Sequence, residues 1–109
     1  MNNDISLAGL KRTDLEKLSE VFRKHPAVEK AILYGSRAIG NFKPFSDVDI
    51  TLLGEGISGS EFNRLFLDID DLMLPYNVDL SLFSSLSNSR LREHIDRVGI
   101  VIYDNNDKQ

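Results

Sequence analysis

Apolar residues recur at helical spacing in three stretches of the chain and alternate with polar ones in the stretches between. In 13–24, Leu15, Leu18 and Phe22 share one face of a helix, Thr13 and Glu16 have capping-box spacing, and Pro26 stops the helix. Residues 28–34 read as a short buried strand leading into Gly35-Ser36, and 37–40 as a helical turn. After a polar loop, 41–46, a second strand covers 47–53, and a glycine-rich turn covers 54–60. A second helix carries Phe62, Leu65, Phe66, Ile69 and Met73 at core-facing spacing, and Pro75 ends it. A third strand covers 76–83. Ser87 or Asn88 caps a last helix bearing Leu91, Ile95 and Val98, Gly99 stops it, and a final strand covers 100–103. Residues 104–109 read as a frayed polar tail. There is no internal repeat, linker or low-complexity segment. The alternation predicts one α/β (α+β) domain over 1–109, a mixed sheet of about four strands with helices packed on it.

Composition narrows the classes. With 109 residues the chain is long enough for one domain and not for two. Apolar residues make up 41% and charged residues 28%, an ordinary globular balance. No apolar run approaches the ~20 residues of a bilayer span, and the start, Met1-Asn2-Asn3-Asp4, lacks a signal pattern, so a cytoplasmic protein without a membrane partner is expected. The absence of cysteine excludes disulfides and thiolate zinc sites. A net charge of −4 argues against long nucleic acid as the main partner, yet permits a pocket for one triphosphate.

Three aspartates are left over once the core is accounted for. In 47–52, Val48, Ile50 and Leu52 take one face of the strand, which puts Asp47, Asp49 and Thr51 on the other. The third strand repeats the pattern, with Val78, Leu80 and Leu82 inward and Asp79 and Ser81 opposite. If the strands are neighbours, three carboxylates share one patch. Aspartate is depleted in strands and like charges side by side repel, so such a patch needs a cation. A single aspartate there would read as a solvated sheet face; three beside a glycine turn point to metal. Magnesium suits a set of hard oxygen ligands that bind together with substrate phosphates.

Gly35-Ser36-Arg37 follows a strand directly. Glycine lets the backbone approach a phosphate, the next amides and the Ser36 hydroxyl donate to it, and Arg37 and Lys43 could supply positive charge. Gly35-Ser36-Arg37-Ala38-Ile39-Gly40, then Ser46-Asp47-Val48-Asp49-Ile50, then Asp79 in a later strand, resembles the DNA polymerase beta-type nucleotidyltransferase superfamily, and within it the minimal (MNT) members. The resemblance implies that Gly35, Ser36 and Arg37 bind the nucleotide, and that Asp47, Asp49 and Asp79 are the catalytic residues and the ligands of two Mg2+ ions. Asp79 would also serve as, or orient, the general base. It further implies transfer of a nucleoside monophosphate, AMP from ATP by family default, to an acceptor hydroxyl. The implied partner is a helical HEPN-type protein whose antitoxin this chain would be, or a second copy of the chain. Many minimal members carry a basic residue where this chain has Ile39, which bears on the strength of catalysis. The alternative is a catalytically weak module that neutralises its partner by binding alone.

Gly54-Glu55-Gly56-Ile57-Ser58-Gly59 matches the dinucleotide fingerprint G-x-G-x-x-G, with Asp79 beyond it. Glu61 would open the helix meant to hold a pyrophosphate, and Asp47 and Asp49 would stand unexplained in a buried strand, so the glycines read as a turn. His25, before Pro26, and His94, beside Leu91 and Ile95, read as capping or half-buried residues, and Tyr34 and Tyr103 as packing residues.

Overall fold

The computed structural model describes residues 7–107. The chain start read for targeting and the last two residues of the expected tail lie outside them. The elements are α1 (Arg12–Arg23), β1 (Lys30–Tyr34), α2 (Ser36–Ile39), β2 (Val48–Leu53), α3 (Gly59–Asp70), β3 (Val78–Leu82), α4 (Ser89–Val98) and β4 (Ile100–Asp104), with single 3-10 turns at Phe83–Ser85 and Asn105–Asp107. The strands form one mixed sheet in the order β3-β2-β1-β4. β1 runs antiparallel to both β2 and β4, while β2 and β3 are parallel and joined across α3. A parallel pair cannot be closed by a tight hairpin, and α3 supplies the crossover.

Alternation decides which face each residue takes. Ala31 and Leu33 of β1, Val48, Ile50 and Leu52 of β2, and Tyr103 of β4 form one face. It is covered by Leu18, Val21 and Phe22 of α1 and by Leu65 and Ile69 of α3. α4 lies on the opposite face. Its C-terminal Gly99 approaches so closely that a Cβ there would strike Ile32 Cγ2 and the Ile95 carbonyl, and Ile95 is buried. Asn88 caps α4, its Oδ1 accepting from the amides of Arg90 (2.9 Å) and Leu91 (3.2 Å). Among the described residues no helix is long and apolar enough to cross a membrane.

Several expectations are corrected. α1 begins at Arg12, and Lys11 sits at the cap without a side-chain hydrogen bond, so the Thr13–Glu16 box does not form. The buried first-turn residue Asp14 instead accepts from the Tyr76 hydroxyl. α3 is capped by Ser58, whose Oγ accepts from the Glu61 amide at 3.1 Å. Its inward stripe is Leu65 and Ile69; Phe66 and Met73, expected in the core, are 48% and 85% exposed. The helix ends at Asp70, so Met73 falls outside its periodicity, at φ +57°. Both line an open cavity of about 420 Å³ with Tyr76, Val78 and Leu80. Two residues expected in a frayed tail are tied to the sheet: Asp104 pairs with Lys30, and the Asn105 amide donates to the Glu29 carbonyl at 2.9 Å. Gly54, at φ +154°, lets its turn press on the Ala27 carbonyl oxygen where a Cβ would clash, which accounts for one glycine of the fingerprint by packing.

Candidate active site

The site is built where β1, β2 and β3 turn their second face toward α4. Asp49 and Asp79 are register partners on the parallel strands β2 and β3, so both carboxylates stand on that face, and Thr51 and Ser81 form the next pair. Ser81 Oγ donates to Thr51 Oγ1 at 3.1 Å beneath them. Asp47 lies just ahead of β2. Asp49 is half-buried, whereas Asp47 and Asp79 are exposed. Burial first, and then the charges of Asp79 and Asp47, push the Asp49 carboxyl above its ordinary pKa; His94 partly opposes them.

Among the described residues, no three Asp, Glu or His side chains converge tightly enough to hold an ion together. Of the three carboxylates expected there, Asp49 and Asp79 are brought side by side by the strand register, and Asp47 is one residue ahead of β2. The donor set, all carboxylate oxygen and short of positive charge, fits a hard divalent cation.

Gly35 joins β1 to α2 at φ +80°, ψ −157°, a region open essentially to glycine. A Cβ there would run into Asp49 Oδ2, so the turn rests directly against the half-buried carboxylate. The Ser36 and Arg37 amides open α2 and, like the first amides of any helix, have no acceptor within it.

Arg37 is placed differently from expectation. It is 2% exposed, and its guanidinium donates to the Ser46 carbonyl from Nε (3.1 Å) and Nη2 (2.9 Å), to Ala8 from Nη1 (2.9 Å) and to Pro44 from Nη2 (3.1 Å). It also lies over the rings of Phe42 and Tyr76, 5.0 and 5.1 Å from their centroids. Burial and the bond to Asp14 push Tyr76 up to about 12. Arg37 thus braces the loop that delivers Asp47 to the site and does not point its charge at the turn. Ile39, at the end of α2, is 53% exposed.

Two residues join the site that the sequence reading placed elsewhere. Tyr34 pairs in register with Asp49 and shares its face. Burial raises its hydroxyl above the ordinary pKa, a hydrogen bond with Ser81 offsets part of this, and Asp49 and Asp79 add to it. Period-2 alternation with Ala31 and Leu33 was the signal for its face. His94 of α4 accepts the Gly35 amide on Nε2 at 3.2 Å. No sequence signal marks that contact, which spans 59 positions. His25 lies elsewhere, buried between Glu61 and Asp68 of α3.

Over residues 16–108 the chain matches the sequence profile of the family described as polymerase beta, nucleotidyltransferase. No curated protein matches it. Among solved structures, a chain of a toxin–antitoxin crystal structure with AMP-PNP superposes with a TM-score of 0.67 at 20% identity, over 84% of this chain and 73% of that one. A chain of the complex between a tri-AMPylated Shewanella oneidensis HEPN toxin and an MNT antitoxin gives 0.64 at 18%, over 87% and 73%. A candidate nucleotidyltransferase from Sulfolobus solfataricus gives 0.51 at 18%, over 97% and 96%. At such identities the likeness is one of fold.

Proposed function

The chain belongs to the polymerase beta nucleotidyltransferase family, and we propose that it transfers a nucleoside monophosphate, AMP from ATP, to a hydroxyl of a helical HEPN-type partner protein. The observation that carries this reading is the pairing of Asp49 with Asp79 directly against the Gly35 turn. It puts a charge-rich carboxylate pair next to a backbone that only glycine lets a phosphate approach.

In this reading Asp47, Asp49 and Asp79 would hold two magnesium ions, which when bound supply neutralisation of the phosphate charge and activation of the attacking oxygen. Gly35 keeps the turn free of a side chain, and the Ser36 amide and hydroxyl donate to the triphosphate. The acceptor oxygen bonds to the α-phosphorus, the bond to the bridging oxygen breaks and pyrophosphate leaves. Asp79, exposed at the sheet edge, receives or orients the acceptor proton. The half-buried Asp49 stays fixed by its contact with the turn, so positioning is built into the backbone.

The test pairs this chain with a helical HEPN-type protein as the proposed partner. Incubating the purified pair with ATP labelled at the α-phosphate and magnesium should label the partner and release pyrophosphate, and Asp49→Asn should abolish the label. A second reading, neutralisation of the partner by binding alone, is favoured by one observation: Arg37 is buried, and the exposed Ile39 adds no charge at the position where many minimal members carry a basic residue. A stable complex that never acquires label would select that reading over transfer.

A further inference from the structure

α4 carries no residue that the strand pattern or the family resemblance brought to the site, yet it grips the phosphate turn at one atom. The Gly35 amide donates to His94 Nε2 at 3.2 Å. A ring nitrogen that accepts carries no proton, so His94 holds its proton on Nδ1. The ring is oriented by its surroundings: it meets Tyr34 edge-on, centroids 6.4 Å apart at 79°, and the neighbouring Ile95 is 2% exposed under α4. Gly35 is therefore held from two sides, with Asp49 filling the place of a Cβ and His94 taking the amide. A glycine has no intrinsic preference that would hold φ +80°, ψ −157°, so the conformation depends on such contacts.

We propose that His94 is a positioning residue of the nucleotide site. By accepting the Gly35 amide it fixes the peptide that leads into Ser36, so that the Ser36 amide and hydroxyl are the groups presented to the triphosphate. The Gly35 amide itself is committed to the imidazole and withheld from phosphate. Because Gly35 follows Tyr34 at the end of β1 while α4 carries His94, the contact also ties the turn to the helix covering the second face of the sheet. This inference rests on the nucleotidyl-transfer reading above. A packing role would need only a flat ring at position 94; positioning needs an acceptor where Nε2 lies.

Three variants separate the two. His94→Ala removes ring and acceptor, His94→Phe keeps a ring without the acceptor, and His94→Gln can return an acceptor without the ring. Binding is read by calorimetry with a non-hydrolysable ATP analogue and magnesium, and the turn by the amide signal of Gly35 in nitrogen-15 NMR of the free protein. Loss of one neutral hydrogen bond should weaken analogue binding roughly three- to tenfold in both His94→Ala and His94→Phe. Both should shift the Gly35 amide upfield, and His94→Gln should restore much of each change. Nitrogen-15 shifts of the wild-type imidazole should report the proton on Nδ1. If His94→Phe binds as the wild type does, or the Gly35 amide does not respond to any of the three, His94 is a packing residue and the inference is overturned. If His94→Ala unfolds, the Phe and Gln pair still decides between acceptor and ring. Wild-type protein that binds no nucleoside triphosphate would remove the transfer reading and this inference together. Wild-type binding matched by His94→Ala would remove the inference alone.

Discussion

Asp49 is the residue at which the fold and its use pull in opposite directions. Its carboxyl is raised by burial and by Asp79 and Asp47, so the folded protein holds its proton more tightly than the unfolded chain does. The linkage sign follows: between the ordinary value of 3.8 and the raised folded value, stability falls as pH rises, and above the folded value the full cost of the ionised carboxylate persists. Asp49→Asn should therefore melt at the same temperature as the wild type or higher at neutral pH without metal. The difference should vanish below about pH 3.8, where both side chains are neutral. The same variant should lose any magnesium-dependent rise in melting temperature. Thermal melts across pH, with and without magnesium and ATP, would measure both effects, and a variant that melts well below the wild type at neutral pH would make Asp49 a structural residue. The sequence exposed Asp49 and Asp79 because alternation assigns faces, and their pairing needed only that β2 and β3 be neighbours. It did not expose His94 or the inward turn of Arg37, since both depend on which distant backbone a long side chain meets.

Elements were legible wherever a stop signal and a periodicity agreed. β2, β3, the Asn88 cap and the Gly99 stop all follow from local pattern, whereas Met73 was misassigned because helical spacing was counted past the end of α3, and Phe66 because it sits beside the Leu65–Ile69 stripe rather than on it. What locks these elements together is polar and non-local, and two variants probe it. Arg37 joins residues near Ala8, Pro44 and Ser46, so Arg37→Met should leave buried carbonyls unpaired and cost at least about 3 kcal/mol in urea unfolding. Arg37→Lys should recover little, lacking the planar fork. A variant of full stability that loses only nucleotide affinity would return Arg37 to phosphate binding. The second lock joins the end of α1 to α3: His25 Nδ1 lies 2.7 Å from Glu61 Oε2 and Nε2 lies 3.0 Å from Asp68 Oδ2. A neutral imidazole can donate to only one carboxylate, so the double contact calls for the charged ring. Burial alone lowers the imidazole's pKa, but the bonds to Asp68 and Glu61 and their charges more than reverse this, leaving it above 6.5. The stability gained is fully present below 6.5 and lost as pH rises through the folded value. The melting-temperature gap between wild type and His25→Gln should narrow as pH is raised from 6 toward 9; a constant gap would mean that the ring contributes only as a neutral donor.

For the molecule as a whole, the governing quantity is charge. The chain carries −4, sets Asp49 against the Gly35 turn with Asp79 paired beside it, and buries Arg37. A nucleoside triphosphate brings further negative charge to that surface, so affinity without a divalent cation should be undetectable by calorimetry and should appear when magnesium is added. The site is also open on the α2 side: Ile39 is 53% exposed, and nothing lies within 4 Å of where a Gly40 side chain would begin. A cation introduced by Ile39→Arg would act on the triphosphate through solvent. Exposed charge pairs contribute ~0.2–1 kcal/mol, so affinity should rise by up to about fivefold at low salt. Near 1 M salt, where the screening length is ~3 Å, the gain should disappear, and the melting temperature should not change because the position is not packed. Enclosure by a partner protein would reverse the salt dependence, since a desolvated guanidinium–phosphate contact is screened far less. Measuring Ile39→Arg with the chain alone and then with the proposed HEPN-type partner added therefore reads out whether such a partner closes the site. A salt-resistant gain of more than tenfold in the isolated chain would mean that the α2 side is already enclosed, and tight ATP binding in the presence of EDTA would contradict the charge argument itself.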